Sequence, residues 1–111
     1  MYHPERIAYT VDHKYEPDFL IPHSKGTYLL EFKGYFRDNN ELMKYNWIAQ
    51  ALPEDHELLF VFDNPRKPIH FRAVRSDGSK QTHGEWASKN NFRFFDKESF
   101  TAFYNNIERD K

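Results

Sequence analysis

Three side chains that could act together on a phosphate lie between positions 18 and 33. They are Asp18, Glu31 and Lys33. Two carboxylates offer the hard oxygen ligands that a divalent cation such as Mg²⁺ or Mn²⁺ prefers. A lysine beside them can orient a water molecule or offset charge that develops on a phosphate. These residue types therefore suit metal-assisted chemistry on a phosphate ester, provided that the fold brings them together.

Two predicted strands would bring them together. Tyr15–Ile21 and Thr27–Lys33 are apolar runs joined by the polar turn His23–Gly26, which is typical of neighbouring strands. Side chains alternate along a strand, so Glu31 and Lys33 share one face. Antiparallel pairing about the turn places Asp18 near Glu31. The same spacing also arises by chance, and the alternative is a solvated hairpin with no function.

Composition limits the class of protein. The chain has 111 residues, 18% of them aromatic and 30% charged, which predicts one ordered domain over residues 1–111. It has no cysteine, no apolar run of transmembrane length and no signal peptide, so we expect a cytoplasmic protein that does not enter the membrane. A formal net charge of -1 argues mildly against strong nonspecific binding to DNA.

Periodicity and capping residues predict the remaining elements, in the order β-β-β-α-β-β-α-β-α. Asp38 and Glu41 fit a capping box at the start of a helix that runs to about Leu52. The other predicted elements are a first strand at Arg6–Val11, a buried strand at Glu57–Phe62, an edge strand at Ile69–Val74, a short helix capped by Thr82 and Glu85 that runs to about Asn90, a strand at Phe92–Phe95 and a last helix from Asp96 or Lys97. This order predicts an α/β fold with a mixed central sheet flanked by helices. In such sheets sites lie at the carboxyl ends of strands, where Glu31 and Lys33 are found.

A basic region follows the buried strand. Residues 63–80 contain two acids and five basic residues, namely Arg66, Lys67, Arg72, Arg75 and Lys80. Two interpretations stay open. Charges on an edge strand commonly prevent aggregation, and a local basic patch can equally bind the phosphates of DNA.

A set of motifs makes the sequence similar to a known family. The set begins with His13–Pro22 and continues with Leu30–Gly34 and with Pro53 ahead of the strand Leu58–Phe62. It ends with Gly78-Ser79, His83–Trp86 and Phe92–Lys97. In order and spacing these residues resemble the phage endonuclease I family. That family comprises the Holliday-junction resolvases of the PD-(D/E)xK restriction-endonuclease-like nuclease superfamily.

The resemblance implies a concrete function. Members are divalent-metal nucleases that cut branched DNA as intertwined homodimers, so it implies a phage-encoded, Mg²⁺- or Mn²⁺-dependent deoxyribonuclease acting in the host cell. Carried over by position, Asp18 and Glu31 are metal ligands and Lys33 is the catalytic lysine. The backbone carbonyl of Phe32 is a further metal ligand. His13 matches a family histidine, for which a structural or phosphate-facing role is expected.

Two departures from the family pattern affect these expectations. Family members carry a helix before the first strand that supplies another catalytic glutamate and takes part in domain exchange. Only four residues precede Glu5, so we expect that helix to be absent, with Glu5 as the nearby acid that could substitute. The basic cluster after the Glu-x-Lys motif is also replaced by residues 39–43, and only Lys44 remains. With His13, Lys14 and the basic region, Lys44 completes the residues expected to contact DNA.

Two alternatives to a resolvase-like enzyme follow from these departures. One is a homing-type endonuclease that nicks or cuts a particular sequence in duplex DNA. The other is a non-catalytic DNA-binding or accessory domain, whose site would be completed by a partner chain that carries the missing helix. A metabolic enzyme has no support, because the chain has no Gly-rich phosphate loop, nucleophile elbow or Cys/His zinc spacing.

Overall fold

A computed structural model describes the backbone at residues 7–8 and the chain from residue 14 to residue 107. It contains six strands and three helices over those residues. In chain order they are β1 (Ile7–Ala8), β2 (Lys14–Tyr15), β3 (Phe19–His23), β4 (Gly26–Lys33), α1 (Asn39–Ala51), β5 (His56–Phe62), α2 (His83–Lys89), β6 (Arg93–Phe95) and α3 (Lys97–Asn105). Of the predicted first strand, Arg6 and residues 9–11 lie outside the described residues.

Four of the strands form a mixed sheet in the order β3-β4-β5-β6, and β1 pairs separately with β2. The β3–β4 hairpin is antiparallel, whereas β4–β5 and β5–β6 are parallel. Parallel neighbours need a crossover, which α1 supplies between β4 and β5. The predicted α/β fold with a mixed central sheet and flanking helices is thereby confirmed.

Each face of the sheet is covered by apolar side chains. The larger core lies on the side of α1 and α2 and includes Tyr45, Phe60 and Trp86. The smaller one, built on Ile21, Leu30 and Leu59, packs against the aromatic side of α3. The strand β5 lies between the two cores, which explains its almost continuous apolar sequence.

The start of α1 differs from the predicted capping box in one contact. The Asp38 side chain accepts from the backbone N–H of Glu41, as expected. The Glu41 carboxylate, however, does not return to Asp38; it accepts from the N–H of Arg37 and from the ammonium of Lys33. The helix ends at Ala51, two residues before Pro53, as the proline predicts.

The predicted strand Tyr15–Ile21 is interrupted in the structure. Tyr15 belongs to β2, the strand β3 begins only at Phe19, and Pro17 lies between them. A proline has no N–H to donate to a strand ladder, which accounts for the break. Because of the break, Tyr15 is not part of the β3–β4 hairpin, and its side chain contacts Glu31 of β4 from outside the hairpin.

The prediction of an edge strand at Ile69–Val74 is wrong. The described residues between β5 and α2 contain only an isolated bridge from Pro68 to Thr82. The segment folds back on itself instead, with the N–H of Ile69 donating to the carbonyl of Gln81 at 2.8 Å. The N–H of Arg75 likewise donates to the Ser79 carbonyl at 2.7 Å, so these backbone groups pair within the segment rather than with an edge strand of the sheet. The predicted short helix does form as α2, with the Thr82–Glu85 capping box complete.

None of the helices within the described residues is long and apolar enough to span a bilayer.

Candidate active site at the carboxyl end of β4

The β3–β4 register brings Asp18 beside the Glu-x-Lys motif. Phe19 lies opposite Leu30, and the N–H of Asp18 donates to the Leu30 carbonyl at 3.0 Å. The Asp18 side chain is then in reach of the next residues of β4, and its Oδ2 accepts from the N–H of Phe32 at 2.9 Å. The expected proximity of Asp18 to the end of β4 is therefore present, and a backbone donor orients its carboxylate.

The Glu31 carboxylate is buried and held by two phenols. Its side chain points into the α1 side of the sheet, and the residue is 6% exposed. The Tyr15 hydroxyl donates to Oε2 at 2.5 Å, and the Tyr45 hydroxyl donates to Oε1 at 3.1 Å. Each carboxylate oxygen keeps a second lone pair, so these bonds orient Glu31 without using up its capacity to bind a cation.

Burial raises the pKa of Glu31 above its ordinary value. The hydrogen bond from Tyr15 opposes this shift, and the negative charge of Asp18 adds to it. Burial, followed by the neighbouring Glu31, also raises the pKa of both Tyr15 and Tyr45, which keeps the phenols protonated as donors. Asp18 and the buried Glu31 are adjacent carboxylates. A cation bound beside them would favour the ionised form of both.

The Phe32 carbonyl lies on the Asp18 side of β4. The N–H of Phe32 donates to Asp18, and the N–H and C=O of one strand residue point to the same side of the strand. The following carbonyl, that of Lys33, points the opposite way and accepts from the N–H of Asp63 in the direction of β5. Asp18, Glu31 and the Phe32 carbonyl thus present oxygen atoms at one end of β4.

Lys33 is anchored to α1 rather than free in solution. Its Nζ lies 2.6 Å from Glu41 Oε2 and 5.4 Å from the centroid of the Tyr45 ring. The two charged side chains are only 19% and 8% exposed, respectively. Burial alone would raise the pKa of Glu41, but the hydrogen bonds from Lys33 and from the Arg37 N–H outweigh it, so the pKa lies below its ordinary value.

An open cleft of about 520 Å³ adjoins this ion pair. Its lining residues come from the end of β4, the loop to α1 and the end of β5, and they are Phe32, Lys33, Gly34, Tyr35, Arg37, Glu41 and Asp63. Two cations, Lys33 and Arg37, and two carboxylates, Glu41 and Asp63, line the cleft. The exposed ring of Tyr35 lies at the same place.

The donor set suits a magnesium-like ion only in part. Over residues 7–8 and 14–107, no cluster of three or more His, Cys, Asp and Glu side chains could hold a metal ion. Mg²⁺ usually takes one or two carboxylates and completes its shell with water and substrate phosphate. Asp18 and Glu31 provide the two carboxylates that such a site needs. A third acidic ligand would have to come from outside residues 7–8 and 14–107.

Three of the basic residues expected to contact DNA lie around the site. Lys67 Nζ is 3.5 Å from the Gly34 carbonyl, next to Lys33. Lys44 Nζ is 4.9 Å from the centroid of the Tyr45 ring. Arg72 donates to the side chain of Asn39 at the start of α1.

The other basic residues are placed differently. Arg75 makes two hydrogen bonds to the carboxylate of Glu85, and Lys80 Nζ donates to the His70 carbonyl at 2.8 Å. Arg66 lines a second cleft, of about 710 Å³, together with Arg75 and Lys89. Glu5 and His13 lie outside the described residues, and Lys14 is described by its backbone alone.

Sequence reasoning missed Tyr15, Tyr45 and Glu41 as members of the site. A signal was present for Tyr45, because it belongs to the buried stripe of α1 and a buried phenol normally finds a hydrogen-bond partner. Glu41 fits the capping-box pattern, so sequence reasoning assigned its side chain to the helix N-terminus and did not predict its contact with Lys33. Tyr15 carried no local signal, since its partner Glu31 is 16 residues away.

Comparison with known proteins identifies the class. The sequence profile of the family described as Phage endonuclease I matches residues 1–109. The chain therefore belongs to the phage endonuclease I family. It is also similar to Endodeoxyribonuclease 1 of Enterobacteria phage T3, with 33% identity over 95 residues. That match covers 83% of this chain and 55% of the relative, so the chain spans about half the length of the curated relative that it matches.

Proposed function

We propose that this chain is a divalent-metal-dependent DNA endonuclease with a resolvase-like preference for branched DNA. One observation carries the proposal: Asp18, Glu31, the Phe32 carbonyl and Lys33 meet at the carboxyl end of β4, beside a cleft that contains two cations. Membership of the phage endonuclease I family and the name of the T3 relative support DNA as the substrate.

Asp18, Glu31 and the Phe32 carbonyl are the residues that would hold Mg²⁺ or Mn²⁺. When bound, such an ion supplies Lewis-acid stabilisation of the phosphate and lowers the pKa of a bound water. The Phe32 N–H orients Asp18, and the Tyr15 and Tyr45 hydroxyls orient Glu31. This orientation is what preorganises the ligands before substrate arrives.

Lys33 acts on the reacting phosphate in this proposal. Its ammonium donates to a phosphate oxygen or to the attacking water, and its positive charge offsets negative charge that grows in the transition state. The water oxygen forms a new bond to phosphorus and loses a proton to solvent. The bond from phosphorus to one ester oxygen breaks, and that oxygen takes up a proton to become a hydroxyl.

A second candidate is an accessory domain whose site is completed by another chain. It is favoured by the absence of a third metal-binding side chain among the described residues. The partner in this candidate is a different protein that carries the missing helix, whereas a homodimer belongs to the resolvase-like enzyme and is proposed separately. The molar mass in solution, measured by light scattering with and without DNA, tests for that dimer.

Cleavage by the purified chain tests the proposal. A four-way junction, a random duplex and a duplex from the chain's own genomic neighbourhood are compared with Mg²⁺, Mn²⁺, Ca²⁺ or excess chelator. We expect Mg²⁺ or Mn²⁺ to activate the enzyme and Ca²⁺ to bind without turnover. Preference for the junction supports a resolvase, and site-specific cutting of the neighbouring duplex supports a homing-type endonuclease.

Variants separate an active site from a structural one. Asp18→Asn removes a proposed ligand at an exposed position and is expected to abolish metal-dependent cleavage. It is also expected to leave DNA binding intact or to tighten it, because the variant has one negative charge fewer. Asp55→Asn provides a matched control at another exposed aspartate, in the loop before β5. Full activity of Asp18→Asn, or full activity of the parent chain in excess chelator, would contradict the proposal.

A further inference from the structure

Two side chains of α1 contact two side chains of β4 at the site, and the spacing within each pair is similar. Glu31 and Lys33 are two positions apart on one face of β4, a separation of about 7 Å. Glu41 and Tyr45 are four positions apart on one face of α1, a separation of about 6 Å. The two pairs therefore align, and Tyr45 binds Glu31 at 3.1 Å while Glu41 binds Lys33 at 2.6 Å.

The Glu41 carboxylate is itself held in place at both oxygens. Oε1 accepts from the N–H of Arg37 at 2.7 Å, which leaves Oε2 for Lys33. Glu41 stands in the first turn of α1, where the helix dipole stabilises a negative charge. A carboxylate fixed in this way gives Lys33 one preferred position rather than the many positions that a free lysine samples.

We propose that Glu41 is a positioning residue that holds the ammonium of Lys33 at the edge of the cleft. An ammonium has three N–H donors, so the bond to Glu41 leaves two for a phosphate oxygen or a water. Glu41 acts through Lys33 in this proposal and does not serve as a third metal ligand. The proposal rests on the proposed nuclease function, and it adds a residue of α1 to the machinery of that reaction.

A double-mutant cycle on cleavage tests the role. Glu41→Ala removes the anchor, and we expect kcat to fall about 10-fold to 100-fold with little change in KM, because a misplaced group costs rate rather than binding. Glu41→Gln keeps an acceptor oxygen and is expected to recover part of that loss. With Lys33 already changed to Ala, Glu41→Ala should cost nothing further, since both changes remove one function.

The matched control is Glu57→Gln. Glu57 also forms an ion pair, with Arg93 at 2.7 Å, but it lies opposite Tyr28 at the other end of the β4–β5 ladder. We expect its kcat to equal that of the parent. Thermal melting of every variant shows whether the protein is folded at the assay temperature. Glu41→Gln keeps the proposal testable if Glu41→Ala does not fold.

A second readout does not depend on cleavage. Reductive methylation followed by mass spectrometry measures how fast Lys33 reacts relative to Lys25 and Lys89, which are exposed on the surface. We expect slow labelling of Lys33 in the parent and several-fold faster labelling in Glu41→Ala, with no change in Glu57→Gln. If the parent cuts no DNA under any condition, the nuclease proposal fails, and the labelling still decides whether Glu41 holds Lys33.

Three results would overturn the inference. A folded Glu41→Ala variant with the kcat of the parent would show that Lys33 needs no anchor. Losses that multiply in the double variant would show that Glu41 acts independently of Lys33. Equal labelling of Lys33 in the parent and in Glu41→Ala would show that the contact does not hold in solution.

Discussion

Changing Tyr45 to Phe tests whether the phenols hold the Glu31 carboxylate. The substitution removes one hydroxyl and keeps the ring, which packs edge-on against Phe60 at a centroid distance of 5.0 Å. The hydrogen bond that disappears joins a phenol to a buried carboxylate at 3.1 Å. Hydrogen bonds to charged groups contribute about 1.5–3 kcal/mol, and we expect the free energy of unfolding to fall by roughly that amount at neutral pH.

The same change is expected to weaken metal binding. A partner that orients a metal ligand typically contributes about 10-fold to 100-fold in affinity, and each factor of ten corresponds to about 1.4 kcal/mol. The hydroxyl favours the ionised form of Glu31, so its removal raises the pKa of that carboxyl further. The loss of stability should therefore shrink as the pH falls and Glu31 becomes neutral in both proteins.

The assay has two parts. Urea denaturation in chelator, at neutral and at acid pH, gives the change in unfolding free energy. Titration with Mn²⁺ by calorimetry gives the change in metal affinity. Tyr28→Phe is the control, because the Tyr28 hydroxyl accepts a long bond of 3.3 Å from Arg93, away from the site. If Tyr45→Phe matches the parent in stability and in Mn²⁺ affinity, the bond to Glu31 does not have the role assigned to it.

Three further predictions address the other parts of the site. Lys33→Ala should lower turnover by about 10²-fold or more while the DNA dissociation constant changes little, which steady-state kinetics and a binding titration would check. Changing Arg66 or Lys67 to Ala should flatten the salt dependence of DNA binding by up to about one unit for each phosphate that the side chain neutralises, and an unchanged slope would show that the residue neutralises none. Burial raises the pKa of Glu31 in the folded chain, so the folded state binds that proton more tightly than the unfolded state does. In chelator the free energy of unfolding should then fall as the pH rises from the ordinary carboxyl pKa through the raised one, and Glu31→Gln, followed by denaturation at several pH values, should lack that part of the decline.

The proximity of Asp18 to Glu31 and Lys33 was predictable because it depends on local rules. Alternation along a strand placed Glu31 and Lys33 on one face, and a short antiparallel connection placed Asp18 beside them. The crossover helix between β4 and β5 followed from its periodicity and from Pro53. These features each depend on residues close together in the chain, where periodicity and turn chemistry are informative.

The partners of those residues were not predictable in the same way. Whether Tyr45 reaches Glu31 depends on how α1 rotates and slides on the sheet, which packing decides and periodicity does not. The pattern Asp-x-x-Glu predicts a capping box, in which the glutamate binds the N-terminus of its own helix. A glutamate at the same helix position can bind Lys33 instead, and the pattern does not distinguish the two. The error at Ile69–Val74 has a related cause, since β-propensity cannot reveal that the N–H of Ile69 pairs with the Gln81 carbonyl rather than with a strand of the sheet.

Four hydrogen bonds that hold Asp18, Glu31 and Lys33 lie within one stretch of the chain. The bonds from Tyr15 and Tyr45 to Glu31, from Phe32 to Asp18 and from Lys33 to Glu41 join residues 16, 14, 14 and 8 positions apart. The entropic cost of closing a loop grows only slowly with its length, so the four closures differ little in cost. The donors and acceptors of these four bonds all come from the stretch Tyr15–Tyr45, whereas Phe60 of β5 and Trp86 of α2 pack against the Tyr45 ring and fix its position from outside that stretch.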